Sequence, residues 1–276
     1  MTTLATPIRN SRIQLSLGQI FWRELGQGLT LVFLHGNWQT SDQWLAVIQA
    51  LGHEFHCLAP DLLGCGESDR PKLNYSIATQ VECLSDYLDA LHLRQVYLIG
   101  HSMGAWIATS YALKYPERVH GLVLVSPEGV PSRIDDRWRL ERWLVGQPPL
   151  LYWILCLVQP IAKLLKRQEG IHNLLVRRQQ LQRSPVACRI LFRRRPQEIM
   201  ADYLHTRLNH LKLPVLLLQG GRDVKEVSSM ATTYASLLPN VTVEHMLQSD
   251  SSELPETAAE AFAREVRLFV MSSLQR

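Results

Sequence analysis

Cysteine is scarce in this 276-residue chain, and Cys57, Cys65, Cys83, Cys156 and Cys188 are odd in number, scattered and without metal-ligand spacing. No disulfide framework, metal or cofactor is therefore expected, and reduced thiols point to a cytoplasmic compartment. Long hydrophobic runs are also missing. The cleanest apolar stretch, residues 150–158, is bracketed by Pro149 and Pro160, well short of the ~20 residues that span a bilayer. Residues 1–17 carry Arg9 and Arg12 but no continuous apolar region, so neither a signal nor a transit peptide is expected there. There is no internal repeat and no low-complexity linker. A chain that is 46% hydrophobic and 20% charged is excluded from the disordered class and is long enough to bury a full core.

The formal net charge of +4 conceals a segregation. Residues 131–212 contain 16 Lys/Arg against 6 Asp/Glu, so this segment carries +10 while the rest of the chain carries −6. Ahead of the segment lies Val96-Tyr97-Leu98-Ile99-Gly100-His101-Ser102-Met103-Gly104-Ala105, a β-branched apolar run that breaks into Gly-x-Ser-x-Gly and then into a helical pattern. A serine at the tip of a sharp strand-to-helix turn projects its hydroxyl above the sheet, and the flanking glycines leave room for that geometry. The helix beginning at Met103 directs its free N–H groups and positive dipole end at the same point.

Along the chain, residues 12–18 and 19–26 alternate as in an edge hairpin. The solid run 29–34 fits a buried parallel strand, followed by a helix over 41–51 capped by Ser41 or Asp42. A strand at 56–62, a helix at 76–93, the strand before Ser102, a helix at 103–114 and a strand at 119–125 continue the alternation. From Pro131 to about residue 211 the pattern is helical and arginine-rich. A strand at 213–219, a helix at 228–238, a strand at 241–247 and a helix at 256–270 close the chain. This alternation specifies an α/β fold with a mostly parallel, doubly wound sheet. It divides the chain into a core, 1–130 and 213–276, and a helical, basic, apolar cap, 131–212.

Four motifs in this order resemble those of the α/β-hydrolase superfamily: His35-Gly36, Asp61-Leu62-Leu63-Gly64-Cys65-Gly66-Glu67-Ser68-Asp69, Gly100-His101-Ser102-Met103-Gly104 and Gly220-Gly221-Arg222-Asp223. The resemblance implies the α/β-hydrolase fold with a helical cap. It makes Ser102 the nucleophile, the backbone N–H groups of Met103 and Asn37 the oxyanion hole, and Asp223 the triad acid. Glu128, just after the sixth strand, is another acid position some members use. His35 is expected to shape the oxyanion loop, and His101, the variable position of the pentapeptide, need not face the site. Asn37-Trp38 is similar to haloalkane dehalogenases, but those enzymes and the epoxide hydrolases need an aspartate where this chain has Ser102.

A serine hydroxyl needs an adjacent base near neutral pH, which such a family supplies as a histidine in the loop after the eighth strand. Here that loop reads Leu247-Gln248-Ser249-Asp250-Ser251-Ser252-Glu253-Leu254-Pro255, and no histidine follows His245. Aligned from either side, the expected histidine falls on Ser251 or Ser252, each of which could instead cap the terminal helix. His245 is expected within the strand, partly buried. His172, His205 and His210 are the remaining candidates in the cap.

Residues 143–162 carry no charge and are flanked by Arg137, Trp138, Arg139, Arg142 and Trp143 on one side and Lys163, Lys166 and Arg167 on the other. That composition suits a helix lining an apolar pocket or an interfacial segment in peripheral contact with a membrane. Nucleic acid is not an expected partner, because no recognition motif accompanies Arg193-Arg194-Arg195. Two functions are consistent with the sequence. One is a serine hydrolase, esterase- or lipase-like, acting on a carboxylic ester of a small lipophilic substrate. The other is a non-catalytic relative that binds a lipophilic ligand, a membrane surface or a protein partner.

Overall fold

The computed structural model describes residues 7–131, 139–146, 148–164, 169–246, 250 and 253–274. In chain order the strands are β1 (Arg9–Leu15), β2 (Gly18–Leu25), β3 (Thr30–Leu34), β4 (His56–Pro60), β5 (Val96–His101), β6 (Val119–Val125), β7 (Val215–Gly220) and β8 (Val241–Met246). They form one sheet of eight strands in the order β1-β2-β4-β3-β5-β6-β7-β8. The β1–β2 and β2–β4 pairs are antiparallel and all others are parallel. The solid apolar runs are the central parallel strands, and every residue of β5 is buried, as expected where helices cover both faces.

The helices of the sheet layers are α1 (Leu45–Leu51), α2 (Ile77–Ala90) and α3 (Met103–Lys114). Between β6 and β7 come α4 (Arg139–Val145), α5 (Leu150–Leu164), α6 (Glu169–Arg183), α7 (Pro185–Cys188), continued by a wider turn at Arg189–Arg193, and α8 (Pro196–Asp202). After β7 come α9 (Lys225–Leu237), α10 (Leu254–Thr257) and α11 (Ala259–Ser273). The period of two along each strand sends Val32, Leu98, Leu122 and Leu217 to one face, against α2, α3 and α9. Leu31, Phe33, Ile99, Val123 and Leu218 point to the other, against α1 and α11. This sandwich of two apolar layers fixes the C-terminal ends of β3, β5, β6 and β7 side by side.

Three local expectations are corrected. Residues 41–51 are not one helix: Thr40 is the cap, its hydroxyl accepting from the Asp42 N–H, and a tight 3₁₀ turn at Ser41–Trp44 precedes α1. The Ser41 N–H donates to Asp61 Oδ1 at 2.6 Å, which holds the tight turn at the strand end. The terminal helix is split, because Ala258 at φ −132°, ψ 38° separates α10 from α11. The N-cap positions are Glu253 and Ala258, neither with a side-chain cap hydrogen bond, where the sequence points to Ser251 or Ser252. Those two serines lie outside the described residues. His245 is exposed rather than partly buried, because β8 is the last strand of the sheet and has a neighbour on one side only.

Candidate active site

The turn between β5 and α3 has the geometry the pentapeptide demands. Ser102 sits at φ 52°, ψ −115°, a region disfavoured for any residue with a Cβ. Hydrogen bonds on both sides hold it there: its N–H donates to the Val125 carbonyl at 2.9 Å, and its carbonyl accepts from Ala105 at 3.1 Å and Trp106 at 3.2 Å. Gly104 is required, since a Cβ there would lie 2.2 Å from the Leu34 carbonyl oxygen. Gly100 is equally closed, with Ala105 Cα 2.5 Å from where its Cβ would be. Strain is concentrated at this end of the sheet. Of the four non-glycine residues with positive φ among the described residues, Trp38 (67°), Ser102 (52°) and Ser126 (46°) follow β3, β5 and β6.

The side chain of Asn37, which the sequence marks only for its backbone, bridges the strand ends. Its Nδ2 donates to Ser102 Oγ at 3.2 Å and to both carboxylate oxygens of Glu128 at 2.9 Å. All three residues are buried, and the Tyr234 hydroxyl donates to the Glu128 backbone carbonyl at 2.6 Å. Ser102 Oγ therefore accepts a hydrogen bond here. An amide nitrogen cannot take the serine proton, so Asn37 orients the hydroxyl without activating it. Met103 is the first residue of α3, where the helix's own N–H groups lack intrahelical partners. No sequence pattern signals the Asn37–Glu128 contact, which joins residues 91 positions apart.

Asp223 also lies at this end of the sheet, just beyond β7, with Oδ2 accepting from the Gly220 N–H at 3.0 Å. Glu128 is thus linked to Ser102 through one side chain, and Asp223 closes the turn after its own strand. The two buried histidines are both engaged. His35 Nε2 accepts from the Leu62 N–H at 3.1 Å while Nδ1 faces the Gly36 carbonyl at 2.9 Å, and burial lowers its pKa. Gln43 accepts from the Gly36 N–H through Oε1, so its Nε2 is the group that donates to His101 Nδ1 at 3.0 Å. Gly36 has no room for a Cβ, which would lie 2.3 Å from His101 Nδ1. Both rings are built into the loop scaffold. His172, His205, His210 and His245 are all exposed.

The segment between β6 and β7 rests on this end of the sheet. Phe192 stacks on Trp38 with centroids 6.0 Å apart, Trp106 Nε1 donates to the Asp202 carbonyl at 3.1 Å, and the Leu204 N–H donates to the Gly129 carbonyl at 2.7 Å. Val186 packs so closely on Gly64 (φ 86°) that a Cβ there would lie 2.2 Å away. Ser102 retains only 6% exposure beneath these contacts. Among the described residues no cluster of three or more His, Cys, Asp or Glu could hold a metal ion.

Comparison with known proteins agrees with this architecture. A crystal structure of a membrane phospholipase A, described as a bacterial virulence factor, superposes with a TM-score of 0.75 at 25% identity, over 98% of this chain and 87% of that one. An uncharacterized protein of Mycobacterium bovis is 34% identical over 149 residues, 54% of this chain and 44% of that protein. The 1-acylglycerol-3-phosphate O-acyltransferase ABHD5 of Mus musculus is 35% identical over 133 residues, 47% of this chain and 38% of that protein. The matched stretch thus spans less than half the length of either curated relative. The family model for the alpha/beta hydrolase fold matches residues 30–250, and the chain belongs to that family.

Proposed function

We propose that the chain is a serine hydrolase of carboxylic esters with a lipophilic acyl or alkyl part, and that it turns over slowly because its triad lacks a histidine. The observation that carries the reading is Ser102 at φ 52°, ψ −115°, on the N-terminus of α3 with its hydroxyl held by Asn37. In this mechanism Ser102 Oγ attacks the ester carbonyl, the alcohol departs with a proton to leave an acyl-serine, and water hydrolyses that ester to release the acid and restore Ser102. The oxyanion is received by the backbone N–H groups of Met103 and Asn37, with the α3 dipole behind them. Asp223 is the acid of the triad, orienting whatever base serves Ser102, with Glu128 as the alternative acid. Neither a metal nor a cofactor is required. Residues 131–212 act as the cap over the site, in keeping with their apolar content. The same reading places the chain in the cytoplasm, in peripheral contact with a membrane through that cap. The membrane phospholipase A and the acyltransferase among its relatives, both proteins named for acyl-lipid chemistry, support a lipophilic substrate.

Without a histidine at 251 or 252, proton removal from Ser102 falls to water or to a weaker base. In subtilisin, loss of the triad histidine costs about 10⁶ in kcat, and binding with the oxyanion hole keeps roughly 10³–10⁴ over water. Here the hole uses backbone groups and is unaffected by that loss. The competing reading is a non-catalytic relative that binds a lipophilic ligand or partner. It is favoured by the engagement of both ring nitrogens of His35 and of Nδ1 of His101 in the loop scaffold.

A p-nitrophenyl ester assay separates them. The expected result is slow turnover abolished by Ser102→Ala and raised at least tenfold by Ser251→His or Ser252→His. Ordinary serine-hydrolase rates in the wild type would overturn the missing base. No activity above the Ser102→Ala background in any variant would overturn the hydrolase reading in favour of binding.

A further inference from the structure

The helix α5 is apolar on both faces, and only one of them is packed. Leu155 is buried with Leu144, Val145, Leu181 and Cys188. On the opposite face Leu150, Trp153, Ile154, Leu157 and Val158 recur at the three- and four-residue spacing of one helical stripe, and Leu157 is 76% exposed. The stripe continues onto α4, where Leu140 and Trp143 are 48% and 58% exposed. Together with Arg139 and Leu151 they line an open hollow of about 440 Å³. Arg142 on α4 and Lys163 in the last turn of α5 are exposed, and the Arg178 guanidinium lies 4.0 Å over the Tyr152 ring. Large apolar side chains grouped and exposed in this way mark an interaction site.

We infer that the α4–α5 face is an interfacial docking surface for anionic bilayers, with Leu150, Trp153, Ile154 and Leu157 entering the headgroup region and Arg142 and Lys163 pairing with lipid phosphates. This specifies the peripheral contact proposed above and is independent of chemistry at Ser102. Three observations select a membrane. At 15 residues, with Pro160 inside it, α5 is too short to span, and no described helix is long and apolar enough to cross. Tryptophan with aliphatic residues beside basic side chains is the composition of helices that lie in the interface. The charge segregation then orients the molecule: an anionic surface attracts the +10 segment and repels the −6 remainder, so the patch faces the bilayer. A second copy would instead bring +10 against +10 across a two-fold contact, which is repulsive.

The test is vesicle co-sedimentation of the full chain in the Ser102→Ala background, so that turnover plays no part. Vesicles of phosphatidylcholine alone are compared with vesicles in which about one third is phosphatidylglycerol, at low and high salt. The expected result is at least tenfold stronger partition into the anionic vesicles, weakening with salt. Each basic contact is worth about fivefold, so Arg142→Glu with Lys163→Glu should lower partition at least tenfold. Leu157→Asp should do the same, with Leu157→Gln covering any disturbance of the helix. Arg264→Glu, on the exposed side of α11, should leave partition unchanged. Equal binding to both vesicle types, or binding to neither, overturns the proposal. So does a concentration-dependent dimer that Leu157→Asp or Leu157→Gln splits, because the occupant is then a second copy.

Discussion

The bridge from Ser102 through Asn37 to Glu128 makes a demanding prediction, because an isosteric substitution inverts its sign. In the wild type one amide nitrogen satisfies both oxygens of a carboxylate that is 4% exposed, at 2.9 Å each. Asn37→Ala removes that donor and both of its contacts to the carboxylate. A hydrogen bond to a charged group is worth about 1.5–3 kcal/mol, so the loss should be about 2–3 kcal/mol. For a chain of this size that is a fall in Tm of roughly 4–12 °C. Asn37→Asp keeps the shape but sets a second carboxylate about 3 Å from the first, a repulsion of about 5 kcal/mol at an effective dielectric of about 20. The aspartate variant should therefore be less stable than the alanine variant at pH 7. It should recover as the pH falls, when one proton shared between the carboxylates removes the repulsion. Thermal and urea unfolding followed by circular dichroism between pH 4 and 8 would measure the effect. An aspartate variant as stable as wild type at neutral pH, with no change in pH dependence, refutes the contact as described.

Three other outcomes follow from features of the fold. Gly104→Ala should abolish soluble expression or lower Tm by more than ~10 °C, because its Cβ would press on backbone carbonyls at 2.2 and 2.6 Å that cannot yield; a near-normal melt would contradict the elbow geometry. Burial pushes the Cys57, Cys65 and Cys83 thiols up to about 12 and Cys188 to about 11, while Cys156 is exposed. Titration with a disulfide reagent at pH 8 should accordingly find one fast thiol in the native protein and five in denaturant. His35 has its pKa lowered by burial, so the unfolded chain binds its proton more readily. That contribution is complete above pH ~6.5 and is lost as the pH falls toward the folded value, with a slope of up to about 1.4 kcal/mol per unit. Stability measured from pH 7.5 to 5 should show a shallower decline in His35→Asn than in wild type.

The central sheet was legible because its signals are dense. Met103–Lys114 and Val119–Val125 coincide with the expected helix and strand: a strand buried on both faces must be solidly apolar, and the pentapeptide fixes where the next helix begins. Legibility fell where tertiary contacts overrode local pattern. Asp61 Oδ1 takes the Ser41 N–H and turns an expected helix start into a tight 3₁₀ turn. The exposure of His245 depends on β8 being outermost in the sheet, which alternation along one strand does not report. At the site, the motifs marked Ser102, Met103, Asn37, Asp223 and Glu128, and the structure gathers their elements at one end of the sheet. The side-chain role of Asn37 was invisible, because it depends on meeting a carboxylate from a distant loop.

The strained turns also bear on how such a site ages. A residue with a Cβ held at positive φ costs roughly 1–3 kcal/mol, a sizeable share of the 5–15 kcal/mol that separates folded from unfolded domains. At Ser102 and Ser126 a glycine would relieve that strain by a single substitution. Folding alone therefore disfavours the serine at the head of α3. Under mutational drift bounded only by a stability threshold, positions of this kind are among the first to decay when their side chain has no use, and the sequence moves downhill to glycine. A hydroxyl at the head of α3 therefore carries a folding cost, and the gain in stability of Ser102→Gly would measure it.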